Sequence, residues 1–226
     1  MIDFKNVTKE YGKDTAAVKN VSLHISAGEF VTIVGQSGTG KTTLAKLMIA
    51  EERPTRGSIV IGGWDITHIR HYEIPVLRRQ MGVIYQDFKL LQKKKVFENV
   101  AFASEVSGTP SKKIHKIVPQ VLKIVGLEKQ VDKFPRQLSG GEQQRVAIAR
   151  SLVHRPKIIL ADEPTGNLDS INAQDIINLL LKINKFGTTV VLVTHNHDIV
   201  NSLRKRVITM DHGMIISDQK HGKYIL

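Results

Sequence analysis

The chain contains no cysteine. Disulfides, thiolate metal sites and cysteine nucleophiles are therefore excluded, and a reducing compartment is permitted. No apolar run approaches the roughly 18 residues that a membrane-spanning helix needs. The opening stretch MIDFKNVTKEYG lacks the apolar centre of a signal peptide, so a chain soluble by itself is expected. No repeat, low-complexity tract or heptad seam is present. The nine histidines show no H-E-x-x-H or comparable spacing, which speaks against a zinc site. Acidic residues are also scarce, 21 against 33 lysines and arginines, and the net charge is +12. Such a balance calls for acidic company: nucleotide, nucleic acid or an anionic membrane face. It equally describes a solvated basic surface.

What is present is a single folded chain of 226 residues, 41% of them hydrophobic. At about 150 residues per domain this is one domain with an added lobe. Short β-branched runs alternate with longer helical patterns. FVTIVG (30–35) reads as a buried strand, followed by a glycine loop and a helix. SIVIGG and MGVIYQ read as strands, as do KIILADE (157–163) and TTVVLVTH (188–195). Continuous apolar strands alternating with helices predict an α/β fold with a largely parallel sheet covered on both faces. Between Gln86 and about His154 the strand signal stops. Ser111 is a candidate cap for a helix with Ile114, Ile117, Val118, Val121, Leu122 and Val125 on one stripe. Pro119 predicts a kink or a later start. A second helix is expected from about Gly141 to Val153. The domain division that follows is a core of about 1–86 and 156–226, with a helical lobe of about 87–155.

GQSGTGKT, Gly35 to Thr42, fits G-x-x-x-x-G-K-[ST] between a strand and a helix. Backbone N–H groups of Gly35, Gln36, Ser37, Gly38, Thr39 and Gly40 are placed to surround a phosphate, and the helix start adds a positive dipole end. Lys41 is expected to reach the β- and γ-phosphates. The Thr42 hydroxyl is expected on Mg²⁺, with Thr43 beside it. KIILADE ends in two acids. Asp162 suits the metal, because a carboxylate beside Mg²⁺ stays ionised. Glu163 suits general-base work on a water attacking the γ-phosphate. A non-hydrolysing nucleotide scaffold is disfavoured by Glu163 and His195 together.

LSGGEQQR, Leu138 to Arg145, adds a second N–H-rich helix start at Ser139, Gly140, Gly141 and Glu142. Together these motifs resemble the ATP-binding-cassette (ABC) family over essentially the whole chain. The resemblance implies a P-loop nucleotide-binding domain with an antiparallel β subdomain and an inserted helical subdomain. It implies ATP and Mg²⁺ as ligands. It implies a head-to-tail homodimer, each ATP held between the loop at 35–42 of one subunit and LSGGE of the other. Tyr11 resembles the family's adenine-stacking aromatic. Gln86 resembles its glutamine that senses Mg²⁺ and water, and NLD (167–169) its interface loop. His195 resembles the histidine that contacts the γ-phosphate and orients Glu163.

DFKLL, VFENVAFA, LADEPTGNLD and THN resemble the cell-division branch of the family. That branch implies a four-helix integral membrane partner at the bacterial septum, and a peripheral position on the cytoplasmic face of the inner membrane. It implies no specific nucleic acid. Lipoprotein-release and macrolide-efflux ATPases share EPTGNLDS and the same kind of partner, and stand as the alternative. A soluble cassette acting on nucleic acid is the third class. Two positions depart from the family pattern: Gln36 and Gln92 stand where proline is usual. At Gln92 a fixed φ is lost from the partner-facing loop.

Overall fold

The computed structural model describes residues 1–12 and 15–222. In chain order the elements are β1 (Ile2–Glu10), β2 (Ala16–Ile25), β3 (Phe30–Val34), α1 (Lys41–Met48), β4 (Arg56–Ile61), β5 (Trp64–Asp65), α2 (Ile74–Arg78) and β6 (Met81–Tyr85). They continue with α3 (Val96–Val106), α4 (Ser111–Ile124), α5 (Gly140–Leu152), β7 (Ile158–Asp162), α6 (Ser170–Lys185), β8 (Thr189–Val193), α7 (His197–Leu203), β9 (Arg206–Asp211) and β10 (Met214–Gln219). The described residues fall into two compact units: those up to residue 78 together with 184–222, and residues 79–183.

The first unit holds an antiparallel sheet in the order β2-β1-β4-β5. Its strands alternate: Phe4, Val21, Leu23, Ile25, Ile59 and Ile61 are buried between exposed or half-buried neighbours. The sequence reading found β4 and missed β1 and β2. Asn6 and Asn20 adopt left-handed backbone (φ 50° and 48°), and the β1–β2 register shifts between Phe4 and Val7. Such irregularities break the period-2 pattern by which a half-buried strand is recognised. The same unit carries β10-β9-β3-β8, with β3 parallel to both β8 and β9. All five residues of β3 and of β8 are buried, as continuous apolar runs require.

In the second unit β6 and β7 pair in parallel. Helices α3, α4 and α5 pack against one another, and Val96, Val100, Val118, Leu122 and Ile148 on them are buried. α4 begins at Ser111 and runs through Pro119 to Ile124. The later start predicted from Pro119 is therefore corrected. Ser111 is the first helical residue and not the cap; Pro110 precedes it and no side chain caps the turn. The buried stripe Ile114, Val118, Val121 and Leu122 holds the helix across the proline. α5 matches its expected span to within a residue.

Candidate active site

The first unit supplies the phosphate loop. β3 ends at Val34, and the chain turns through Gly35 (φ 151°), Gly38 (φ 82°) and Gly40 (φ 98°) into α1. A Cβ at Gly35 would collide with the Met210 carbonyl of β9, and one at Gly40 with the Ala17 carbonyl of β2. Neighbouring strands thus leave room only for glycine at both positions. Gln36, Ser37, Gly38 and Thr42 are exposed, Thr43 is half-buried, and Thr39 is buried with its hydroxyl donating to Gln36 O at 2.8 Å. Lys41 is 7% exposed, and its Nζ donates to Gly35 O and Gln36 O, both at 2.7 Å. The ammonium is thereby held inside the loop it is expected to serve.

His195 is exposed, two residues beyond the end of β8. Thr194 N donates to Ile33 O at 3.1 Å, which carries the β3–β8 pairing to the brink of the phosphate loop. His195 and Gly35 therefore leave adjacent parallel strands at the same carboxyl end, where open α/β sheets bind ligands. Tyr11 is 47% exposed, with the Lys9 ammonium 5.0 Å from its ring centroid.

The second unit supplies the acids and the glutamine. In the β6–β7 register Tyr85 lies opposite Asp162. Gln86 and Glu163 are the next residues, so both emerge side by side from paired strand ends. Glu163 has left-handed backbone (φ 47°), uncommon for a residue with a Cβ. Gln86 is tied to the NLD loop twice: its Nε2 donates to Asn167 Oδ1 at 3.3 Å, and Asn167 Nδ2 donates to Gln86 O at 3.1 Å. Gly166 leaves the space that Gln86 occupies; a Cβ there would come within 2.8 Å of Gln86 Nε2. Asn167 and Gly166 support the site in a way the sequence did not reveal, because the contact spans some eighty positions.

The LSGGE turn is a capping box. Ser139 Oγ accepts from Glu142 N at 3.2 Å, and Ser139 N donates to Glu142 Oε2 at 2.8 Å. Gln130 Nε2 holds the other Glu142 oxygen at 3.1 Å. Gly140 and Gly141 follow as the first helical residues. A Cβ on Gly141 would collide with the Asn172 amide, which Asp169 anchors at 2.6 Å. These bonds, the backbone N–H of Asn172 first, hold the Asp169 carboxyl below its usual range. The NLD loop and the LSGGE turn are thus joined within one chain.

Gln86 opens a segment that is clamped twice. Phe88 and Lys89 have positive φ (58° and 49°), and Arg150 donates to their carbonyls at 2.9 and 2.6 Å. Asn99, fully buried, accepts from Leu91 N at 2.8 Å and donates to the carbonyls of Leu91, Lys94 and Lys95. Lys94 and Lys95 pair with Glu98 (3.7 Å) and Asp132 (2.9 Å), whereas Gln92 and Lys93 are exposed.

In the second unit Gln86 and Asp162 offer an amide carbonyl and a carboxylate, and in the first unit Thr42 offers a hydroxyl. Oxygen donors of these kinds suit Mg²⁺, which is held by one or two carboxylates and by substrate phosphates.

The ABC transporter family profile matches residues 18–166. The cell division ATP-binding protein FtsE of Bacillus subtilis (strain 168) is 50% identical over 224 residues, covering 99% of this chain and 98% of the relative. FtsE of Streptococcus pneumoniae serotype 2 (strain D39) is 46% identical over 224 residues, covering 99% and 97%. Among solved structures, the ATP-binding cassette MJ0796, a dimer in a post-hydrolysis state bound to ADP and Pi, is 36% identical with a TM-score of 0.88, covering 99% of this chain and 100% of that one. The chain belongs to the ABC transporter ATPases and, within them, to the cell division ATP-binding proteins called FtsE.

Proposed function

We propose that the protein is the ATP-hydrolysing subunit of an FtsE–FtsX-type complex, working as a head-to-tail homodimer that closes on two ATP molecules and drives a four-helix membrane subunit. The observation that carries this reading is the Tyr85–Asp162 register, which sets Gln86 and Glu163 at adjacent strand ends. Glu163 accepts a proton from water as its oxygen attacks the γ-phosphorus in line. The bond to the β–γ bridging oxygen breaks, and ADP and phosphate are the products. His195 contacts the γ-phosphate, and Gln86 orients the water. Lys41 exchanges the Gly35 and Gln36 carbonyls for phosphate oxygens, and the exposed backbone of Gln36, Ser37 and Gly38 completes the cradle. Mg²⁺, held by Thr42, Gln86 and Asp162, would neutralise charge on the phosphates. Ser139, Gly140 and Gly141 present helix-start N–H groups to the partner protomer's nucleotide, and Tyr11 stacks on adenine. The dimeric ADP–Pi cassette among the structural relatives supports this assembly.

Residues 87–155 act as the lobe that carries partner contact. Gln92, Lys93, Phe134 and Arg136 line one concavity there, and the Arg136 guanidinium lies over the Phe134 ring at 5.9 Å. No described helix is long and apolar enough to cross a membrane. The proposed position is peripheral, at the cytoplasmic face, where a net charge of +12 favours anionic lipid. The test is Glu163→Gln with Mg-ATP. A dimer stable in ATP is expected, with turnover lowered roughly 10²- to 10⁴-fold. A monomer that hydrolyses ATP at the parental rate would sink the assignment.

A further inference from the structure

We infer that Gln144 is a positioning residue for the catalytic glutamate, a role that rests on Glu163 being the general base. Gln144 lies in the second turn of α5 and is fully buried. Its Nε2 donates to Pro164 O at 2.6 Å and lies 3.4 Å from Tyr85 O. Both neighbours are carbonyl acceptors, so the amide has one sensible orientation, with nitrogen towards them. One side-chain amide therefore sits between the carbonyl before Gln86 and the carbonyl after Glu163.

Two observations show that the amide serves these carbonyls and not packing alone. Gln144 Oε1 is buried and has no hydrogen-bond partner among the described residues. A buried acceptor in that state is a cost which methionine, of similar length, would not incur. The N–H bonds are what the amide offers in return. The second observation is the left-handed backbone of Glu163 (φ 47°). Such a conformation persists only where the surroundings over-determine it. On the N-terminal side, Asp162 is fixed by pairing with Tyr85. On the C-terminal side, Gly166 N closes a turn onto Glu163 O at 3.2 Å, and Gln144 holds Pro164. Glu163 is thus suspended between two anchored points, one of them a side chain of the helix that starts at LSGGE. A shift of that helix start reaches the base through a single 2.6 Å bond.

The experiment uses the full chain with Gln144→Met and Gln144→Glu, and Glu163→Gln in parallel. For Gln144→Met, kcat is expected to fall about 100-fold, the cost of mispositioning a catalytic group by about an ångström. KM for ATP should stay within about twofold, because the phosphate loop is untouched. The melting temperature should stay within a few degrees of the parent, since the Gln144 oxygen that lacked a partner is gone while the Pro164 carbonyl loses one. In Gln144→Glu the introduced carboxyl, raised by burial, regains an O–H donor when protonated. Its turnover relative to Gln144→Met should therefore recover as pH falls from about 8 to about 6.

A Gln144→Met enzyme with kcat within about twofold of the parent overturns the inference, as does a loss seen only in KM. If Gln144→Met does not fold, absence of the acid recovery in Gln144→Glu overturns it. Failure of both variants to fold also does, because the amide would then belong to the fold alone. Parental turnover in Glu163→Gln removes the base assignment and this inference with it. An inactive Glu163→Gln beside an active Gln144→Met removes the inference alone.

Discussion

At the scale of single residues, the site is shaped as much by missing side chains as by reactive ones. Gly35 and Gly40 admit the carbonyls of Met210 and Ala17, and Gly166 admits Gln86. The first two were readable in the sequence, because glycines at that spacing before Lys41 belong to a recognised phosphate-loop pattern. Gly166 was not, because its reason lies in the Gln86 side chain, distant in sequence and just beyond the end of β6. Gly166→Ala is expected to push Gln86 off Asn167 and lower kcat by at least about tenfold, with the melting temperature nearly unchanged. Steady-state ATPase assays beside thermal unfolding check this. Parental kcat would show that the Gln86–Asn167 bonds are dispensable.

At the scale of elements, legibility followed regularity. Strands β3, β7 and β8 and helix α5 were readable from continuous apolar runs and from the glycine-rich start of the helix. β1 and β2 were hidden by their asparagine bulges, and α4 continues through its proline because tertiary burial outweighed local propensity. The junction between α5 and β7 carries a titratable group. His154, just beyond α5, donates through Nε2 to Met81 O at 3.1 Å. Burial lowers its pKa below the usual 6.5, and the Met81 bond only partly offsets this. The unfolded chain therefore binds the proton more readily than the folded one. Stability is full above about pH 6.5 and is lost as pH falls towards the depressed folded value. His154→Gln is expected to flatten that acid slope, and unfolding midpoints at about pH 7.5 and 5.5 measure it. An unchanged slope would place the acid sensitivity elsewhere.

At the scale of the whole molecule, the basic excess divides into engaged and available charge. Lys94 and Lys95 are matched by Glu98 and Asp132, and Arg206 is held by Asp218 and Glu29. Lys93 is exposed beside Gln92, Phe134 and Arg136. Of the lysine triplet, Lys93 is thus the residue with which to probe docking. Lys93→Ala is expected to weaken capture of a detergent-solubilised FtsX-type subunit about fivefold, equivalent to about 1 kcal/mol. ATP turnover of the isolated protein should change less than twofold, roughly. Collapsed turnover with capture intact would reverse the division between engine and coupling. The Asn99 clamp carries a further consequence. It grips the segment 91–95 only by main-chain atoms, so it is indifferent to which side chains that segment displays. Glutamine can stand at 92 without proline's rigidity because the turn is held from beneath. Side chains at 92 and 93 can therefore be exchanged without loosening the clamp that holds this turn against α3.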